Sequence, residues 1–277
     1  MNRCQACGRP IMESQAFARI ALGGETYLFC CPMCMSAFEA RPLQRRMIPQ
    51  SFSDHRVSVF VEYLPALQVG GDYACIRSVG EDRLYLIVGD ISGHGITSAL
   101  LMSRTSTEIE RLVEAGQDLA TTAEFLNNSI NSMLGEDWFY LTLFGAAIDF
   151  PSQTVSYINC GHPGQLLWSQ REQAVVRLDS QNLPVGLFSS QVFGTAIQKT
   201  VQMQSGDKLL LFTDGISELE REDGSELGQT GLIEIFHQLI EAPHEETQRK
   251  VVEQVHALQK GHPNDDVLFI FVDLRET

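Results

Sequence analysis

The chain has 277 residues, 44% hydrophobic, 8% aromatic and 20% charged. That suits one large domain, or a medium one with a small companion, and argues against long disordered stretches. A formal net charge of −15 speaks against a nucleic-acid surface, which needs clustered Lys and Arg; it fits a soluble acidic surface or a protein that gathers carboxylates around cations.

No apolar run approaches the ~20 residues of a membrane span. The N-terminus MNRCQACGRP has no signal-peptide apolar core, so the sequence reads as cytoplasmic. Five of the seven cysteines fall in the first 34 residues. An odd number of cysteines in such a chain points to metal rather than to disulfides. Cys4-x2-Cys7 and Cys31-x2-Cys34 flank a β-like stretch, 17–29, and a short helical pattern carrying Met35 and Phe38 follows. Paired CxxC knuckles of this kind make a closed tetrahedral zinc site, and FCCPMC also permits Cys30 in place of Cys31. The stretch 41–54, with Pro42, Pro49 and the basic pair Arg45-Arg46, reads as a boundary.

Beyond it, 57–63 alternates apolar and polar as a half-buried strand does, and 84–88 is a short apolar strand ending in Gly89-Asp90. Helical spacing predicts helices over 97–116 and 121–134. Hairpins are expected at 141–149 with 154–159, and at 166–168 with 175–178. A strand over 208–212 enters Thr213-Asp214-Gly215, helices follow over 227–241 and 245–261, and 267–274 closes the chain as a strand. Strands broken by paired helices predict a layered α+β domain.

Four aspartates sit in turns at or near strand ends: Asp72 in VGGD, Asp90 in VGDISGHG, Asp214 in FTDG and Asp265 in NDDV. Converging carboxylates repel by roughly 3 kcal/mol per pair at ~6 Å and an effective dielectric of ~20, so such a cluster needs divalent cations. All-oxygen donors suit Mg²⁺ or Mn²⁺, and two such ions ~3.5–4 Å apart can activate a water against phosphorus. His94, in GHG before a helix, is either a turn residue or a phosphate contact, and His162 in NCGHPG divides the same way between hairpin corner and function.

On these residues the chain resembles the metal-dependent (PPM, or 2C-type) serine/threonine protein phosphatases, in their SpoIIE-like branch. The matching blocks are VGGDY (69–73), LIVGDISGHGITSALLM (86–102), LTLFGAAID (141–149), YINCGHPGQLL (157–167), LPVGLF (183–188), GDKLLLFTDGISELEREDG (206–224) and NDDVLFIFV (264–272). The resemblance implies an α-β-β-α phosphatase domain, two antiparallel sheets flanked by helices, and hydrolysis of phosphoserine or phosphothreonine on a signalling protein such as an anti-sigma-factor antagonist. It carries two Mn²⁺ or Mg²⁺ onto Asp72, Asp90, Asp214, Asp265 and the Ile91 carbonyl, with Asp90 bridging and Asp265 preferred to Asp266.

The first segment resembles treble-clef-like metal modules of the TRASH and YHS type, through CxxCG, YLFCCPMC, Phe38 and Pro42. The expected organisation is a zinc module at 1–42, a linker at 43–54 and the phosphatase domain at 55–277. A phosphoprotein substrate and an activating protein partner are the expected partners. The alternatives are a catalytically silent phosphatase-fold interaction module and a heavy-metal-sensing regulator.

Overall fold

The computed structural model describes residues 2–65, 69–93, 95–134, 139–219, 221, 224–242, 246–247, 249–250, 252–253 and 265–275. The first unit is small. Strand β1 (Asn2–Arg3) pairs with β2 (Pro10–Ile11), and β3 (Ala18–Leu22) forms a hairpin with β4 (Glu25–Phe29). Helix α1 (Pro32–Met47) then begins with Pro32 in its first turn, where a missing N–H costs nothing. Phe38 of α1 packs on the rings of Tyr27 and Phe29, with centroids 5.3 and 5.2 Å away. Cys4, Ile11 and Leu28 are the buried centre of this unit. So few apolar side chains make a marginal core, which is why a unit of this size usually needs a staple.

The rest of the chain builds two stacked antiparallel sheets. In chain order come β5 (Phe52–Ser53), β6 (Val57–Leu64), β7 (Asp72–Val79), β8 (Arg83–Ile91), α2 (Ile96–Glu114) and α3 (Leu119–Leu134). They are followed by β9 (Leu141–Asp149), β10 (Thr154–Cys160), β11 (Gln165–Ser169), β12 (Ala174–Leu178), α4 (Ser190–Phe193) and β13 (Lys199–Gln202). The chain closes with β14 (Lys208–Phe212), α5 (Asp214–Ser217), α6 (Gly228–Ile240) and β15 (Val267–Leu274). One sheet has the order β13-β10-β9-β8-β7, the other β12-β11-β14-β15-β6-β5.

Strand periodicity explains the layers. Leu84, Leu86 and Val88 of β8 face the other sheet, where Leu209, Leu211, Leu268, Ile270 and Val272 meet them. The intervening Tyr85 and Ile87 face outward onto Met102, Ile109 and Val113 of α2 and Leu126 of α3. On the opposite outer face, Leu210, Phe212, Phe269 and Phe271 pack under Leu232, Ile235 and Phe236 of α6. Every residue of β15 is buried, because both its faces are covered; this is why its sequence is a continuous apolar run rather than an alternation. The α-β-β-α layering expected from the sequence is the observed architecture.

The structure adds detail at three places. Helix α1 runs through the anticipated boundary at residue 42 and makes the first part of the linker helical, with Pro42 inside it and Gln44 buried. The β-like stretch at 17–29 is a hairpin of two strands. Strand β7 was not anticipated, because Arg77 and Ser78 interrupt its apolar pattern. The helix expected over 245–261 lies largely outside the described residues.

Phe144 is fully buried between the sheets and stacks on Tyr157 with centroids 6.0 Å apart. Replacing it by alanine is expected to cost about 3–5 kcal/mol, read as a lower urea midpoint at unchanged m-value.

Candidate active site and metal centres

The aspartates meet where the two sheets end. Asp72 opens β7 and lies directly across the ladder from Asp90 on β8. Asp214 follows β14 as the first residue of α5, and Asp265 and Asp266 lead into β15, the neighbour of β14. Two glycines allow the sheets to close on this point. A Cβ on Gly70 would fall 1.3 Å from Asp266 Oδ2, and one on Gly71 would fall 2.5 Å from the Ile91 carbonyl oxygen and 2.7 Å from Asp90 Oδ1. Ile91 thus turns its carbonyl into the same corner as Asp90.

Burial and mutual repulsion set the electrostatics. Asp72 is 2% exposed. Burial, then the charges of Asp266, Asp90 and Asp214, hold its carboxyl well above the usual range, against the pull of a hydrogen bond from Thr213. Burial, then Asp214, Asp265 and Asp266, push Asp90 up to about 8. Asp214 is raised by burial and by Asp265, and Glu218 by burial, Asp214 and Asp265. Carboxylates this close could hold divalent cations, whose charge removes the repulsion.

Several residues position this centre, and sequence patterns did not single them out. The Thr213 hydroxyl donates to Asp72 Oδ2 at 2.7 Å and accepts the Leu268 N–H at 3.0 Å, joining β14, β15 and β7 in one fully buried contact. Its only sequence signal is its place in FTDG. Gln44 of α1 holds the backbone of Gly70 from both sides, donating to the Gly70 carbonyl at 2.7 Å and accepting the Gly70 N–H at 3.0 Å. No pattern marks a glutamine in a stretch that reads as a linker. Asp266 is 4% exposed and lies beside Gly70, whereas Asp265 is exposed at the open tip and accepts the Asp266 N–H at 2.8 Å.

His162 is a buried clamp. Its Nε2–H donates to the Phe212 carbonyl at 3.0 Å, and its Nδ1 accepts the Thr142 hydroxyl at 2.8 Å. Burial lowers it to about 4, so the ring is neutral and suited to accept as well as donate. It ties β9, opposite Asp90, to the end of β14 just before Thr213-Asp214. Gln165 doubles the clamp: its amide donates to the Phe212 carbonyl at 3.1 Å and accepts the Phe212 N–H at 2.6 Å. His94 lies outside the described residues.

The second centre is the cysteine cluster. Cys4, Cys7, Cys30 and Cys34 bring their sulfurs within 4.8 Å of one another. Cys31 stands outside this group as the N-cap of α1. It therefore differs from the expected set, which used Cys31, and agrees with the alternative that FCCPMC left open. The Cys31 sulfur lies 3.9 Å from that of Cys30, beside the group rather than within it. Burial pushes the Cys4 thiol up, but backbone hydrogen bonds from Cys7, Cys30 and Ala6 outweigh it and bring the group to about 6. Burial raises Cys30 to about 12 and raises Cys34 as well. Crowded thiols of this kind could hold zinc as thiolates, since the cation's charge replaces the missing protons.

The stacked sheets, outer helices and aspartate corner define a PP2C-type phosphatase fold. The SiaA PP2C domain of Pseudomonas aeruginosa superposes with a TM-score of 0.73 over 87% of this chain and 96% of that one, at 21% identity. The catalytic domain of the serine/threonine protein phosphatase PstP, solved with two manganese ions, gives 0.54 over 80% and 99% at 14% identity. Residues 80–275 match the Stage II sporulation protein E (SpoIIE) profile, and the chain belongs to that family. In sequence it is 24% identical over 240 residues to the phosphoserine phosphatase RsbP of Bacillus subtilis (strain 168), covering 85% of this chain and 57% of that one. The chain thus spans little more than half the length of that relative.

The raised carboxylates give a stability signature. A carboxyl whose folded-state pKa is raised contributes stability fully below its ordinary value, 3.8 for Asp90, and loses it as pH rises through about 8. His162, lowered from 6.5 to about 4, works the other way and is complete above 6.5. Between pH 6.5 and 8 the metal-free protein is therefore expected to lose thermal stability as pH rises. Saturating Mn²⁺ should remove that slope, both measured as Tm by calorimetry.

Proposed function

We propose that the chain is a metal-dependent protein serine/threonine phosphatase, a phosphoric monoester hydrolase acting on phosphoserine or phosphothreonine of a signalling protein. The observation that carries the reading is the convergence of Asp72, Asp90, Asp214 and Asp265 from the ends of both sheets, with only carboxylates, their own and that of Asp266, as the charges among the leading influences on Asp72, Asp90 and Asp214. Hard oxygen donors select Mn²⁺ or Mg²⁺. Asp90 is the residue best placed to be shared by two ions, being felt by Asp214, Asp265 and Asp266 together and standing across from Asp72. Asp214 and Asp265 hold the exposed side, and the Ile91 carbonyl offers a further oxygen.

When bound, two such ions supply an acidified water and neutralise the phosphoryl oxygens. The chain's own part is placement. Thr213 fixes the Asp72 carboxylate, Gln44 fixes the loop before it, and the neutral His162 with Gln165 fixes the end of β14 from which Asp214 projects. Holding donors before the reaction is what makes them effective, since nothing then reorganises as charge develops.

Cys4, Cys7, Cys30 and Cys34 hold one structural zinc in this reading, completing a unit too small to be stable on its own apolar contacts. The heavy-metal-sensing alternative draws on one observation: α1 carries Cys34 in its first turn and Gln44 against Gly70. No helix among the described residues is long and apolar enough to cross a membrane.

Purified protein is expected to hydrolyse para-nitrophenyl phosphate with Mn²⁺ or Mg²⁺ and not in EDTA. Asp90→Asn should lower kcat by about a hundredfold or more. Activity unaffected by Asp90→Asn would remove the two-metal reading, and an inactive chain that still binds Mn²⁺ by calorimetry would favour the silent-module alternative.

Zinc released by a thiol-blocking reagent, counted with a chromogenic chelator, should be one ion per chain in the wild type and in Cys31→Ser. It should be lost in Cys30→Ser. The reverse pattern would restore Cys31 as the ligand.

A further inference from the structure

We propose that the cleft between α1 and the uncovered edge of β6 docks an extended, acidic segment of the protein substrate, which joins the sheet as an added strand with one of its carboxylates on Arg45. Calling the docked segment substrate rests on the phosphatase reading; the docking itself does not.

The edge is open for a simple reason. Strand β5 pairs with β6 only at Val59 and Ser58, so among the described residues no strand lies beside the outer side of β6 from Val61 onward, although its inner side is paired with β15 through Leu64. On that outer side the Val61 N–H reaches the Ser51 hydroxyl at 2.8 Å. Backbone groups along an antiparallel strand alternate between its two edges. Tyr63, two residues on, therefore turns its own N–H and C=O to the same uncovered side. Open edges of this kind are either blocked or used for pairing with another chain.

A cleft of 530 Å³ lies along this edge, with Val61, Glu62 and Tyr63 as one wall and Arg45, Ile48 and Pro49 among the residues opposite. Its size admits a few residues of extended peptide, and its two walls supply what strand addition needs: backbone groups for affinity and side chains for specificity.

Charge sets the chemistry of the occupant. Arg45 is exposed, and no hydrogen bond or ion pair engages it among the described residues. Arg41 precedes it by one helical turn, close enough that the two guanidinium groups and Tyr63 act on one another. In a chain of net charge −15, a concentration of positive charge beside a backbone edge attracts a carboxylate locally while the rest of the surface repels it, which fixes direction and register. Glu62 disfavours a carboxylate at the strand wall, so the acidic side chain belongs at the α1 wall.

Tyr63 connects the cleft to the aspartate corner. It lines the cleft, its hydroxyl is buried without a hydrogen-bond partner, and the charges of Asp266 and Asp72 act on it. A segment lying in the cleft is thus one side chain away from the carboxylates, and a phosphorylated serine further along the same segment can enter their corner.

The test uses the full chain without added Mn²⁺ or Mg²⁺ and fluorescence anisotropy of fluorescein-labelled short serine peptides, unphosphorylated, flanked by glutamates or by arginines. The wild type is expected to bind the glutamate-flanked peptide about tenfold or more tightly than the arginine-flanked one. Arg45→Glu, an exposed helix position, should reverse that order. Methylating the backbone nitrogens of the glutamate-flanked peptide should weaken it about tenfold or more, because strand addition needs those N–H groups. Equal affinities for the two peptides, no binding of either, an unchanged preference in Arg45→Glu, or indifference to N-methylation would each overturn the proposal. Hydrolysis of the phosphorylated peptides with Mn²⁺ is scored separately, so a failure of the phosphatase reading leaves the anisotropy result to stand or fall alone.

Discussion

Repulsion among crowded, partly buried carboxylates is the constraint around which the molecule is organised. Asp72, Asp90, Asp214, Asp265 and Asp266 meet at one end of two stacked sheets, and each close pair costs roughly 3 kcal/mol at ~6 Å and an effective dielectric of ~20. Left to themselves these groups would part. What keeps them together is the layer between the sheets, where Leu86, Val88, Phe144, Leu211, Ile270 and Val272 are fully or almost fully buried. Each such side chain contributes about 1.5–3 kcal/mol, so a few of them offset a pair of opposed charges.

Apolar burial brings the sheets together without choosing the ångström at which they meet. That is done by buried polar contacts with little freedom. Thr213 and His162 each bond groups on both sides of the corner, Gln165 holds Phe212 by its N–H and its carbonyl, and each is fully or nearly fully buried. In a region of low dielectric an unpaired group among them would be expensive. The network is therefore satisfied as a whole or broken as a whole, and its geometry is correspondingly definite. The neutral state of His162 follows from the same burial, and a neutral imidazole is the form able to donate at one nitrogen and accept at the other.

Helix α1 belongs to both halves of the chain. Its first turn carries Cys34 of the thiol cluster, its middle carries Phe38 of the small core, and its last turns carry Gln44 on Gly70 and Arg45 on the cleft beside β6. The two donor sets stay distinct by chemistry: sulfur suits zinc and oxygen suits magnesium or manganese.

The sequence by itself determined the layered fold and singled out most of the carboxylates and thiols that the structure brings together. The period-two pattern of the strands, the apolar run of β15 and the helical spacing of α2 and α3 are local signals, since burial of one face or of both is written directly into residue order. Aspartates beside glycines at strand ends, and cysteines at knuckle spacing, are local in the same sense. Only the tertiary structure grouped the Cys30 sulfur rather than that of Cys31 with Cys4, Cys7 and Cys34, separated the exposed Asp265 from the buried Asp266, extended α1 into the first part of the expected linker, and revealed Thr213, Gln44 and the edge of β6 left uncovered among the described residues. All of these depend on which side a residue turns toward once distant segments have packed. Gln44 meets Gly70 across 26 residues and Thr213 meets Asp72 across 141, and no pattern along the chain carries information about a partner that far away.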